Sequence, residues 1–380
     1  MSILIEVLYL FLSIWLALYG LNSMYLLWKR RSVEVLAEPT PPDTWPHVTV
    51  QLPVYNELST VGRLMDAAAA LDYPRNRLEI QVLDDSTDET SKLLQRKVDR
   101  WQKTGLNIVH IQRTHRHGYK AGALAQGLET ASGELVAIFD ADFVPQPDFL
   151  SKTVPHLADP SVACVQTRWD HLNRDYSYFT RLQAIGIDGH FAIEQTARSG
   201  HGLWLNFNGT AGVWRREAIK DAGGWQTDTI TEDLDLSYRA QLAGWRIMYL
   251  PKVAVPAELP AQVAAYKQQQ ARWAQGSLQT ARKILPLLWR SKTSFTQKIL
   301  GSLHLTGYLA HPLILAVMLL ALPIRFIDLA LLRWSPVLLL AAIGPPLLYL
   351  NAEVPGGPRF IERMRLIPGL VVLGLIAAAS

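Results

Sequence analysis

The chain has 380 residues, 49% of them hydrophobic, with a formal net charge of +4 and a single cysteine. That length allows a sizeable core and membrane spans besides. A balance this mild, without a Lys/Arg run of the kind that grips nucleic acid, argues against nucleic acid as a partner and suits an anionic membrane surface. The lone Cys164 excludes an internal disulfide framework and a cysteine-based zinc site, and is expected to be a small buried apolar residue.

In chain order, residues 3–28 are nearly all apolar, with Glu6 as the one charge. The run is long enough for a hydrocarbon core of ~30 Å. Lys29-Arg30-Arg31 follow directly and assign that end to the cytoplasm. Basic residues after the run, and no small-residue cleavage site, predict a retained anchor at residues 1–30. Residues 47–255 are mostly soluble in character. Strands are predicted at 47–52, 78–83, 107–112 and 134–139, alternating with helices at 58–71, 87–104 and 118–130. That alternation is the signature of a parallel sheet with helices on both faces. Residues 256–299 read as interfacial helices. Residues 300–380 read as a transmembrane region with apolar runs at about 300–323, 335–351 and 367–380. The arginine-rich loop 359–365 reads as cytoplasmic, and the loop 324–334 would face outward despite Arg325 and Arg333. The last run is short for a crossing, which leaves a truncated chain or an end that dips into the membrane.

Ligands of such sheets bind beyond the carboxyl ends of the strands. Asp84-Asp85 and Asp140-Ala141-Asp142 both fall at such ends, expected on neighbouring strands. Two carboxylates two residues apart at a turn can hold one hard divalent cation, as Mg²⁺ takes one or two protein carboxylates and completes its shell with water and phosphate. A solvated turn is the alternative. Asp85 could bind a base, a ribose or a metal, whereas Ser86 or Thr87 with Asp88 and Glu89 resembles a helix cap. Asp233, in Thr231-Glu232-Asp233, is a candidate general base. Read locally, an N-terminal cap by Thr231 is favoured there. Gln269-Gln270-Ala271-Arg272-Trp273 puts Gln269 and Trp273 on one helical face. Trp273 could plate a sugar ring and Arg272 could fork a phosphate, or the segment is a plain interfacial helix. His115 and His117 flank Arg116 without a third ligand at good spacing, so 113–120 reads as a basic loop near phosphates.

Five segments taken together point to a family: Gln51-Leu52-Pro53-Val54-Tyr55-Asn56-Glu57, Asp84-Asp85-Ser86-Thr87-Asp88, Gly118-Tyr119-Lys120-Ala121-Gly122-Ala123-Leu124, Phe139-Asp140-Ala141-Asp142-Phe143, and Phe207-Asn208-Gly209-Thr210-Ala211-Gly212-Val213-Trp214. From about residue 48 to 273 the chain resembles the processive family 2 glycosyltransferases. These include bacterial cellulose synthase catalytic subunits, hyaluronan and chitin synthases, and plant cellulose-synthase-like mannan and glucan synthases. Tyr119 and Trp214 are similar to the mannan synthase branch. The resemblance implies an α/β fold of the GT-A (nucleotide-diphospho-sugar transferase) type, a doubly wound sheet with flanking transmembrane helices, with residues 47–255 as a cytoplasmic catalytic domain.

It also implies roles. Pro53, Tyr55 and Glu57 would line the base and ribose pocket, with Asp85 at the base. Lys120 would sit near the donor phosphates. Asp140 and Asp142 would bind Mg²⁺ or Mn²⁺ with the diphosphate. Asp233 would be the general base. Asn208, Gly209 and Thr210 would shape the acceptor side, and Gln269, Arg272 and Trp273 would hold the diphosphate and acceptor sugar. The implied activity is inverting transfer of a hexose from UDP-glucose or GDP-mannose to a growing β-glycan, such as β-1,4-glucan or mannan. The implied setting is a multi-pass protein of the inner (plasma) membrane, in contact with lipid and with an export or accessory subunit. A non-processive enzyme with a lipid acceptor is the alternative. A catalytically silent export scaffold is a third reading, disfavoured by intact Asp85, Asp142 and Asp233. Unlike the best-known members, the chain has few C-terminal spans and no appended domain for a cyclic-dinucleotide activator.

Overall fold

Strand β1 (Val48–Val54) is buried on both faces, as a strand covered by helices on either side must be. The protein's structure, a computed structural model, describes residues 2–34, 37–324 and 335–378. On one side β1 pairs in parallel with β2 (Leu78–Asp84), and β2 with β3 (Ile108–Gln112). On its other side β1 pairs in parallel with β4 (Leu135–Ile138). The chain thus builds outward twice from β1, and the carboxyl ends of β1 and β4, where the direction reverses, are where such sheets bind ligands.

Beyond β4 the sheet departs from the predicted parallel pattern. Three further strands, β5 (Val162–His171), β6 (Gly212–Arg215) and β7 (Arg246–Ala257), complete the order β3-β2-β1-β4-β6-β5-β7. β6 runs antiparallel to both β4 and β5, while β7 is parallel to β5. The reason is where β6 starts. The Ala211 amide donates to Ile138 O (2.9 Å) at the carboxyl end of β4, so the chain enters β6 there and can only run back. The expectation of neighbouring strands for the two acidic pairs is also corrected: β1 lies between β2 and β4.

Helices cover the sheet by periodicity. In Val61–Ala69 the buried Val61, Leu64, Met65 and Ala68 recur at one helical face, and in Thr90–Gln102 so do Thr90, Leu94 and Val98. They cover a core built on Val50, Leu52, Ile80, Val82, Ala137 and Phe139. Burying each larger apolar side chain is worth ~1.5–3 kcal/mol. Phe139 meets Phe149 edge to face at 4.8 Å. Cys164 is fully buried in β5, and burial pushes its thiol pKa well up.

The chain forms two compact units. The sheet lies in Val35–Asn173 and Leu205–Glu258; Met1–Glu34, Arg174–Trp204 and Leu259–Ser380 make the other. In this second unit Tyr9 and Leu16 of the helix Ser2–Arg30 pack on Val317 of Ala310–Ile324. Gly344 of the helix Ser335–Leu350 lies so close to Gly20 that a Cβ there would meet its carbonyl oxygen at 2.2 Å. The helix Tyr178–Gly189 starts at a capping box, with the Ser177 hydroxyl accepting the Thr180 amide. A π-helical turn, His190–Gln195, follows it. The unit also holds the helices Val263–Arg290, Phe295–Leu305 and Phe360–Ala378.

Among the described residues one helix, Leu4–Arg30, is long and apolar enough to cross a membrane. A second qualifies if Phe295–Leu305 and Gly307–Ala321, bent by 57° at their junction, form one broken span. The outward loop predicted at 324–334 falls, beyond its first residue, outside the described residues.

Candidate active site

Two clusters form at the carboxyl ends of the parallel strands. The first gathers around β1 and β2. Asp84 ends β2 in full burial; its carboxylate accepts the Ser86 amide (2.8 Å) and lies 2.9 Å from His110 Nε2. Burial raises its pKa, but hydrogen bonds from His110, Ser91 and Ser86 outweigh that and leave it below the usual carboxylate value. Asp88 accepts the Thr90 amide at 2.9 Å where the next helix begins.

Asp85 is nearly buried, and Arg113 takes both its oxygens, Nε to Oδ1 at 2.6 Å and Nη2 to Oδ2 at 2.5 Å. A fork on a carboxylate is the strongest form of this pairing. Arg113 also donates to the carbonyls of His117 (3.0 Å) and Tyr119 (2.8 Å), so it folds the loop 113–119 around itself. The fold of that loop needs positive φ at two successive residues, Gly118 (70°) and Tyr119 (51°). Arg116 lies with its guanidinium carbon 3.3 Å from the Tyr55 ring centre and 5.0 Å from that of Tyr119, and its Nε is 3.8 Å from Asp85. Asn56 ties the ends of β1 and β2 together, its amide donating to Ser86 Oγ (3.0 Å) and its side-chain oxygen accepting the Thr87 amide (2.9 Å). Pro53 lies within β1, paired in register with Leu83.

The second cluster centres on Lys120, in the first turn of the helix Tyr119–Thr130. Its ammonium is 2.5 Å from Asp140, donates to Gly209 O at 2.9 Å, and is 3.9 Å from Glu232. Desolvation lowers the Lys120 pKa, but Asp140, Glu232 and Asp233 outweigh it and raise it overall. The Asp140 amide donates to Thr210 Oγ1 at 2.9 Å. Gly209 has φ of 81°, and a Cβ there would lie 3.0 Å from Asp233 Oδ2 and 3.4 Å from Lys120 Nζ. Asp233 opens the helix Glu232–Leu242, and its Oδ1 accepts the Leu234 amide at 2.8 Å. Desolvation pushes Asp233 up to about 6, with Lys120 pulling the other way. Glu232 is pushed up to about 7, by desolvation and by Asp233, again against Lys120.

Asp142 rises to about 7 through desolvation and the charges of Asp140 and Glu57. Its neighbour Glu57 accepts a hydrogen bond from Thr60 Oγ1 at 2.9 Å. Two carboxylates, Asp140 and Asp142, two residues apart are hard oxygen donors of the kind a divalent cation takes. Among the described residues no group of three or more His, Cys, Asp or Glu side chains is placed to hold a metal ion.

The structure therefore brings Asp140, Lys120, Gly209, Thr210 and Asp233 together, and separately Tyr55 and Asp85. Gln269, Arg272 and Trp273 lie on the helix Val263–Arg290 of the other unit, Arg272 exposed and its two companions half-buried. Sequence reasoning missed Arg113 as the partner of Asp85, and Glu232 as a second buried acid beside Lys120. Only the general basicity of 113–120 hinted at the first.

Residues 46–276 match the family described as glycosyltransferase like family 2. A probable glucomannan 4-beta-mannosyltransferase 7 of Oryza sativa subsp. japonica is 44% identical over 72% of this chain and 48% of its own length. Glucomannan 4-beta-mannosyltransferase 2 of Arabidopsis thaliana is 42% identical over 72% of this chain and 54% of its own. The chain thus spans about half the length of the curated relatives it matches. A mannosyltransferase from Pyrobaculum calidifontis, solved with GDP-Man and Mn2+, is 26% identical and superposes with a TM-score of 0.67 over 98% of this chain and 97% of that one. The expected GT-A architecture agrees with that likeness. By the family match over residues 46–276, the chain belongs to glycosyltransferase-like family 2.

Proposed function

We propose that the chain is a membrane-bound inverting mannosyltransferase that moves mannose from GDP-mannose to a growing β-1,4-linked glycan. The observation that carries this is the convergence of Asp233 and Lys120 on the bare backbone of Gly209, with Asp140 paired to the same Lys120. GDP-mannose is preferred over UDP-glucose because the glucomannan mannosyltransferases of plants and the GDP-Man-bound enzyme are both similar to this chain.

In this reading an acceptor hydroxyl enters beside Gly209 and attacks the anomeric carbon from the face opposite the nucleotide. Asp233 takes its proton. With a carboxyl pKa of about 6, Asp233 is ionised at neutral pH yet basic enough to accept. An α-linked donor then yields a β-linkage. Lys120 keeps Asp140 oriented and balances Asp233 and Glu232. Asp140 and Asp142 would hold Mg²⁺ or Mn²⁺, which when bound neutralises the departing diphosphate. Tyr55, Pro53 and Glu57 would flank the nucleoside, and Asp85 would stiffen that pocket through Arg113. Gln269, Arg272 and Trp273 are assigned to the diphosphate and acceptor sugar by their family pattern.

The catalytic unit is assigned to the cytoplasmic side of the plasma membrane, with residues 1–30 as anchor and 300–380 as a multi-pass region served by an export or accessory subunit. The apolar helix Leu4–Arg30, ending in basic residues, supports the anchor.

The test uses membranes bearing the full chain, Mn²⁺, and radiolabelled GDP-mannose or UDP-glucose. Label from GDP-mannose should enter the ethanol-insoluble fraction. Label confined to the lipid extract would overturn the polymer reading, label from UDP-glucose alone the donor, and no incorporation from either the activity.

A further inference from the structure

Gln166 follows the apolar residues 162–165 of β5 and is wholly buried. A polar side chain there must be satisfied from within the protein. Its Nε2 faces three carbonyl oxygens, of Thr167 at 2.9 Å and of Thr210 and Ala211 at 3.1 Å each. Its Oε1 accepts the Asn208 amide at 2.7 Å. One amide therefore grips both ends of the loop 208–211. Thr167 adds a second hold, its amide (3.0 Å) and hydroxyl (2.8 Å) both donating to Ala211 O.

The loop needs holding. Gly209 has φ of 81°, and Ala211, which carries a Cβ, has φ of 55°. A left-handed residue other than glycine is strained and persists only where its surroundings enforce it. What the loop presents is the catalytic cluster: Gly209 O to Lys120, Thr210 Oγ1 to the Asp140 amide, and the open face of Gly209 to Asp233.

We propose that Gln166 is the positioning residue for glycosyl transfer, holding the loop 208–211 so that Lys120, Asp140 and Asp233 keep their mutual geometry. The proposal rests on the transferase reading above. It acts at the acceptor side, so it predicts a defect in the chemical step with donor binding retained.

Two variants of the full chain in detergent or membranes test it. Gln166→Met keeps length and volume but makes none of the four contacts. Gln166→Glu keeps the acceptor for Asn208 and turns a carboxylate oxygen toward three carbonyls. For Gln166→Met, GDP affinity in Mn²⁺ by calorimetry should stay within about twofold and kcat for transfer should fall about 100-fold, the scale of a 1 Å misplacement. Gln166→Glu should lose at least as much. Hydrogen exchange at amides 208–211 should quicken in both while the rest of the sheet exchanges as before.

A folded variant with near-wild-type kcat would overturn the proposal. So would GDP affinity, kcat and melting temperature falling together, which marks a merely structural role. Should the wild-type chain bind no GDP and transfer nothing, the transferase reading fails by itself. The positioning role in transfer then fails with it, and exchange at 208–211 decides only the hold on the loop: quickened exchange supports it and unchanged exchange overturns it too.

Discussion

The two clusters at the carboxyl ends of the strands solve opposite electrostatic problems. Around Asp85, charge is matched pair by pair: a forked arginine for the carboxylate, a tyrosine ring under Arg116, and a histidine beside Asp84. Around Lys120, Asp140, Glu232 and Asp233 crowd one ammonium, and Asp142 stands close enough to Asp140 to be raised by it. The first cluster is complete as folded. The second carries surplus negative charge, and burial has already lifted three of its acids toward neutrality. A charge-matched cluster and an unbalanced one are separated by a single loop, 113–119.

Substitutions that break this contrast should differ in size and kind. The largest effect is expected from Asp233→Asn, which removes the proposed proton acceptor. Transfer should drop about 10²–10⁴-fold while GDP affinity persists, and unchanged polymer synthesis by a folded variant would dismiss Asp233 as the base. Next comes Arg113→Ala, which strands a nearly buried Asp85 carboxylate. Breaking a buried pair from one side costs about 3–5 kcal/mol, to be read from denaturant melts; a loss below about 1 kcal/mol would show that Asp85 was never dependent on its partner.

Lys120→Met tests the unbalanced side. Lys120 lowers the Asp233 pKa, so its loss should raise it and move the acid limb of kcat to higher pH; a limb that stays in place removes Lys120 from the electrostatics of the base. Asp84→Asn probes the matched side through pH. The folded pKa of Asp84 is depressed, so its contribution to stability is present above the unfolded value of ~3.9 and lost as pH falls through the folded value. The gap in melting temperature between wild type and variant should therefore be full at neutral pH and close in acid; a gap independent of pH would contradict this. The smallest effect is expected from Arg116→Ala, worth about 0.5–2 kcal/mol of stability for the stacked cation.

What the sequence disclosed follows the range of each interaction. Strand and helix periodicity is local, so the parallel half of the sheet and the positions of Asp85, Asp140 and Asp142 at strand ends could be read from residues 47–142. β6 could not be read, because its direction depends on Ala211 meeting Ile138, far away in sequence. The grip of Arg113 on Asp85 likewise joins residues 28 positions apart with no periodic signal. Gln166 did carry a signal, since a glutamine after an apolar strand demands buried partners, but which partners only the tertiary structure tells. Asp233 read locally as a helix start, and it is one; the nearness of Lys120 and Gly209 gives it a second meaning.

The bare α-carbon of Gly209 has a consequence for redesign. Any side chain there would be strained at φ of 81° and would press on the Asp233 carboxylate. Position 209 is thus closed to sequence change, whereas in the loop 113–119 the exposed side chain of Tyr119 is open to variation. Libraries should diversify Tyr119 and leave the glycine alone.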